Sequence, residues 1–162
     1  MTASPGVHAG AAARRRPVQA LLAGIGAFIG IAVVGGLAHA TALPWLLGSF
    51  GASCVLLFGY PDVPFARARN VIGGHVLAAT VAVACLHLLG PGWIPMALAA
   101  GIAVVLMIAS DTTHPPAGSN PLIVFLATPQ PDWQFILMPT LIGALTLYLL
   151  ARVYWRLLGK IR

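Results

Sequence analysis

Two short tracts hold the side chains from which this sequence could build a binding site: Asp111-Thr112-Thr113-His114-Pro115-Pro116-Ala117-Gly118-Ser119-Asn120-Pro121 and Ser49-Phe50-Gly51-Ala52-Ser53. Asn120 is a favoured N-cap, Pro121 suits a first helical position and Pro129 ends the apolar run. Together they predict a capped half-helix over 121–128, fed by an extended stretch at the paired prolines. A helix start offers unpaired amide N–H groups and the positive end of a dipole, which is a ready anion site. Pro121 has no N–H, so Leu122 and Ile123 would be the donors, with the Ser119 and Asn120 side chains beside them. The second short piece, Leu46 to Tyr60, is interrupted by Gly48 and Gly51. It offers Ser49, Gly51, Ala52 and Ser53 at the matching place.

His114 has three roles open to it: pairing with Asp111, lying near the anion, or carrying a proton, since imidazole changes charge near neutral pH. The plain alternative for the whole tract is a structural turn with a good cap. His75, beside Gly73-Gly74, either faces the same cavity or is hydrogen-bonded packing. His39 and His87 fall near the ends of apolar stretches, where an interfacial position suits them. An enzyme would need a nucleophile with a base, a metal set or a cofactor loop. His114 has no Cys or Glu at ligand spacing, and no Gly-Lys-Ser/Thr phosphate cradle is present. The expectation is a non-enzyme without metal or cofactor. A cation path usually uses intramembrane carboxylates, and the only acids, Asp62, Asp111 and Asp132, lie in or beside loops.

The elements that must position these residues are membrane helices. Of 162 residues, 59% are hydrophobic and only 7% charged, too few charges to cover a soluble surface. Cys54 and Cys85 sit in apolar stretches and read as small buried hydrophobes. Val18 to Ala38, Val71 to Leu89, Trp93 to Ser110 and Gln134 to Ala151 have spanning length. Pro139 should kink the last of these. Trp93, Trp133, Tyr148, Tyr154 and Trp155 suit interfacial anchoring. Gly24, Gly26 and Gly30 read as close helix packing, within the bundle or between protomers.

The fold expected is therefore an all-α polytopic bundle of four long transmembrane helices plus two short half-helices. It has a single domain over 18–155, between a disordered basic tail at 1–17 and a basic tail at 156–162. The short pieces resemble each other at a fixed offset, with Gly51 over Gly118 and Ser53 over Asn120. If both cross, the plan is an inverted 3+3 repeat with Arg14 to Arg16, Arg67, Arg69 and the basic C-terminus all on the cytoplasmic side. The rival plan has four spans and two re-entrant loops, and it places Arg67 and Arg69 outside. The net charge of +6 is on either plan a topology signal, and no nucleic-acid partner is implied.

The Asp111–Pro121 tract resembles the signature of the HPP family of small integral membrane proteins, named for His-Pro-Pro. Ser49-Phe50-Gly51-Ala52-Ser53-Cys54-Val55-Leu56-Leu57-Phe58-Gly59 and Asn70-Val71-Ile72-Gly73-Gly74-His75 resemble two further family blocks, and the likeness runs from Val18 to Leu150. Where the family usually has Gln-Pro, this chain has Arg67-Ala68, which loses a rigid turn and adds a charge. The resemblance implies four transmembrane segments. Members similar to this chain have been linked to nitrite transport in plastids and cyanobacteria, so it also implies a small-anion transporter or channel, nitrite first. The alternative is a non-transporting structural or regulatory membrane module. The expected partners are the lipid bilayer, the anion and further copies of the chain. The expected place is the cell (inner) membrane, with both termini cytoplasmic.

Overall fold

The computed structural model describes residues 6–159, with side chains from Pro17 onward. Among the described residues the chain is all-helical: α1 (Gly6–Thr41), α2 (Ser49–Cys54), α3 (Ala68–Leu89), α4 (Trp93–Ala109), α5 (Asn120–Leu126) and α6 (Ile142–Leu157). Wide turns extend two of them. Val55–Gly59 continues α2, and Ile136–Leu141 leads into α6. Three stretches are long and apolar enough to cross a bilayer: Pro17–Thr41, Ala68–Leu89 and Ile136–Leu157. The fourth expected span, α4, is a shorter apolar helix of 17 residues, or roughly 25 Å at 1.5 Å per residue.

The molecule is apolar outside and polar at its centre, the reverse of a soluble protein. Phe28, Leu88, Val105, Leu126 and Leu157 are among the exposed large side chains, whereas Ser49, Ser53, His75, His114, Asn120 and Thr140 are buried. Helices associate in lipid chiefly through close packing, which small residues permit. Accordingly Ala78, Ala79 and Ala82 of α3 and Ala99 and Ala103 of α4 are fully buried. On α1, an added Cβ at Gly26 would meet the Phe58 ring and one at Gly30 would meet Leu147 and Phe58, so both serve packing within the bundle. Gly24 has nothing within 4 Å.

Local expectations need correcting at four points. First, the tail assigned to 1–17 is helical from Gly6. Residues 1–5 and 160–162 lie outside the described residues. Second, α6 reaches Leu157, so helix continues into the segment assigned to the basic C-terminal tail. Third, the paired prolines do not extend the chain beyond His114 (φ −133°, ψ 100°). Pro115–Ser119 forms a 3-10 turn instead, since proline's fixed φ also suits a first helical turn. Fourth, Asn120 is no cap. Its amide N–H bonds Ala117 O, Ser119 occupies the cap position without a side-chain bond, and the Asn120 side chain turns into the core. Pro139 does break the helix, with Met138 at φ −132°, ψ 119°.

Contacts define two ends of the bundle. At one, Gln19 Nε2 donates to Gly59 O (3.3 Å), Tyr154 Oη to Leu22 O (2.7 Å) and Trp155 Nε1 to Leu57 O (2.9 Å). The loop before α3 joins this end, where Arg69 bonds Ser110 O and Asn70 Nδ2 donates to Thr113 O. At the other end, His87 stacks on Trp133 with ring centroids 5.5 Å apart. Arg67 and Arg69 therefore share an end with the C-terminal turns of α6, which carry Arg152 and Arg156.

Thr140 Oγ1, beside the kink, is buried with no hydrogen-bond partner among the described residues. An unpaired buried hydroxyl costs about 1–3 kcal/mol. Thr140→Val, nearly the same shape, is expected to leave stability unchanged or raise it by about 1 kcal/mol, read as the thermal midpoint in detergent. A clear drop would mean that the hydroxyl has a partner.

Candidate functional site

The site lies where the starts of α2 and α5 meet the first turns of α3. Gly74 on α3 brings the helix close to the His-Pro-Pro segment: a Cβ there would lie 2.8 Å from Thr112 O and 2.9 Å from His114 Cβ. Into this junction point Ser49 and Ser53, one helical turn apart on α2, His75 from α3, His114, and Asn120 at the start of α5. Each is at most 3% exposed.

Their hydrogen bonds form one connected network. Ser49 Oγ donates to Asn120 Oδ1 (2.9 Å), and Asn120 Nδ2 donates to His75 O (3.1 Å) while lying 3.2 Å from His75 Nδ1. Ser53 Oγ is 3.0 Å from His75 Nε2, 2.9 Å from His114 Nε2 and 3.2 Å from Ser49 O. His114 Nδ1 lies 2.8 Å from Phe65 O. The Phe50 ring meets the His75 ring edge-on, with centroids 5.3 Å apart, and fixes its plane. None of these side chains is a carboxylate. Asp62 and Asp132 are exposed, and Asp111 faces solvent with Arg69 3.8 Å away.

A sequence profile of the HPP transmembrane region matches residues 12–162. The chain belongs to the HPP family. Two transmembrane proteins of Dictyostelium discoideum are similar to it. One is 36% identical over 155 residues, covering 86% of this chain and 50% of the relative. The other is 39% identical over 115 residues, covering 67% of this chain and 40% of the relative. The chain thus spans half or less of the length of these relatives. No solved structure matches it.

The HPP signature owes its shape to what surrounds it. His114, Ser49, Ser53, His75 and Asn120, all read from the sequence as site residues, come together. Gly51, Ser119, Leu122 and Ile123 do not join them. Gly51 is exposed with nothing within 4 Å of a Cβ there. Ser119 Oγ is spent on Pro116 O (2.8 Å). Leu122 is 41% exposed and Ile123 half-buried. The 3-10 turn Pro115–Ser119 runs directly into α5, and the Asn120 amide is bonded back to Ala117 O. Polar side chains face the junction instead.

His114 does not pair with Asp111, whose side chain is 90% exposed beside Arg69 while His114 is fully buried. The Phe65 carbonyl, Phe50 and Asn70 are contributors that sequence reasoning misses. Asn70 stands in the Asn-Val-Ile-Gly-Gly-His block and was the most findable of them. Among the described residues no three His, Cys, Asp or Glu side chains converge to hold a metal.

Next to the network, Gly48, Ser49, Ser119, Leu122, Ile123, Leu126 and Ala127 line a groove of about 500 Å³. It approaches the cluster at Ser49. The cluster itself is closed.

Proposed function

We propose that this chain moves a small inorganic anion across a membrane, as a transporter or channel, with nitrite the leading substrate. The observation that carries the reading is a buried cluster of neutral polar side chains, free of carboxylates, where two short helical elements meet. Ionisable side chains inside a membrane protein usually mark a substrate or proton path, and interrupted helices meeting in a bundle are a recurring way to build one. Ser49, Ser53, Asn120, His75 and His114 would bind the anion after Ser49 and Asn120 part to admit it from the groove. An inverted 3+3 plan accounts for two broken elements meeting at one place. We place the protein in the cell (inner) membrane with both termini cytoplasmic, as lipid-embedded homo-oligomers, and assign it no catalysis.

A second reading, a structural or regulatory module, is favoured by one fact: every polar side-chain atom of the cluster already has a partner. Reconstituted uptake separates the two. Proteoliposomes challenged with nitrite, nitrate, formate, chloride and potassium are expected to take up nitrite above protein-free vesicles and to exclude potassium. Uptake of none of the anions by a folded protein would favour the module. Potassium flux would contradict the anion site.

A further inference from the structure

The network has a direction. A carbonyl only accepts, so His114 Nδ1 must carry the hydrogen that bonds Phe65 O, and in the neutral ring Nε2 is then bare. That bare nitrogen takes the hydroxyl hydrogen of Ser53. Ser53 can then only accept from His75, so His75 carries its hydrogen on Nε2, leaving Nδ1 bare toward the Asn120 amide. Each donor has an acceptor, and all point one way: Asn120, His75, Ser53, His114, Phe65. The Ser49 carbonyl, 3.2 Å from Ser53 Oγ, competes for the same hydrogen and is the more distant of its two acceptors. When His114 gains a proton, both its nitrogens donate, and the Ser53 hydrogen can swing to Ser49 O. Both charge states are thus satisfied without moving a heavy atom.

We propose that His75, Ser53 and His114 form a proton relay through the closed centre of the bundle, so that an anion entering from the groove moves together with a proton. The proposal rests on the anion-transport reading and specifies its coupling. A proton delivered to His75 Nδ1 makes that ring an imidazolium. Its Nε2 hydrogen passes to Ser53 Oγ as the Ser53 hydrogen passes to His114 Nε2. His75 ends neutral and His114 charged, with N–H and O–H bonds alone made and broken and no electrons exchanged. His114 then gives its Nδ1 proton to water at the end that carries Arg69, where Phe65 is 41% exposed. This step requires the Phe65 carbonyl to turn off that nitrogen. Both rings must return to their starting tautomers through water before the next proton. The groove and Asn120 flank the other side. The Asn120 amide must yield for the first step, and Ser49 Oγ, which both donates and accepts, allows it to turn.

The titratable groups facing the path are the two imidazoles themselves. Arg69 and Asp111 stand outside it, their side chains 64% and 90% exposed. Among the described residues no carboxylate, lysine or arginine is buried, so no fixed charge competes for the proton.

Two measurements on the wild-type protein test the relay. In proteoliposomes held at constant membrane potential, an inward proton gradient is expected to drive nitrite uptake, with internal acidification above that of protein-free vesicles. Nitrite uptake without added acidification, insensitive to the gradient, would overturn the relay and leave transport standing. No uptake of any anion would overturn both. Nitrogen-15 NMR of histidine-labelled protein is expected to show one imidazole with a protonated Nδ1 and bare Nε2, and another with the reverse. Two buried rings in the same tautomer would overturn the directed chain. Ser53→Ala, if it elutes as folded protein, should lower protons moved per anion at least ten-fold, and an unchanged ratio would count against the relay.

Discussion

Asn120→Ala is expected to cut anion uptake at least ten-fold and to lower stability by about 2–3 kcal/mol, because it strands several buried groups at once. The Ser49 hydroxyl loses its acceptor, while His75 O and Nδ1 lose their donor. None can turn to water. Asn120→Asp separates the chemistry from the shape: a carboxylate is the same size but only accepts, so it removes the donor and adds a charge that repels an anion. Uptake should fall at least as far in this variant. Flux in proteoliposomes, set beside expression and the denaturation midpoint, checks both. Normal flux in Asn120→Ala at normal expression would remove the cluster from any transport path.

Gly74→Ala is the second large effect, and it acts through packing. The new methyl would sit 2.8 Å from a backbone oxygen, Thr112 O, and 2.9 Å from His114 Cβ, and neither can swing aside as a side-chain tip would. Overpacking of this kind costs about 1–3 kcal/mol. It must also push His114 away from Ser53 or from Phe65 O. Both the thermal midpoint and anion uptake are expected to fall. Gly24→Ala is the matched control, since open space surrounds that position and alanine favours a helix by up to about 1 kcal/mol over glycine. Equal midpoints for the two variants would contradict the close approach of α3 to the His-Pro-Pro segment.

Much of the site is legible in the chain because proline and glycine act locally. Pro121 and Pro129 delimit α5 closely, Pro139 breaks the last helix, and the short polar tracts stand out against an apolar background. The failures are equally local in origin. Asn120 has the chemistry of an N-cap and Asp111 that of a partner for His114, and propensity rules assign each to its nearest neighbour. Yet Asn120 finds Ser49, and His114 finds Phe65 O, each far away in sequence. A buried polar group goes to whatever donor or acceptor packing brings to it, because leaving it unpaired costs about 1–3 kcal/mol, whereas a cap contributes about 0.5–2 kcal/mol. The Leu122 and Ile123 side chains lie away from the cluster, Leu122 41% exposed and Ile123 half-buried, and a 3-10 turn rather than an extended stretch leads into their helix.

The sequence by itself determined that this is a helical membrane protein of the HPP family with no acidic residue within its spans. Those properties follow from composition and from short-range backbone sterics, which need no partner to act. Only the tertiary structure decided that Ser49, Ser53, His75, His114 and Asn120 share one closed network. Which polar groups pair depends on which lie within about 3 Å of each other, a distance set by helices packing together across the whole fold.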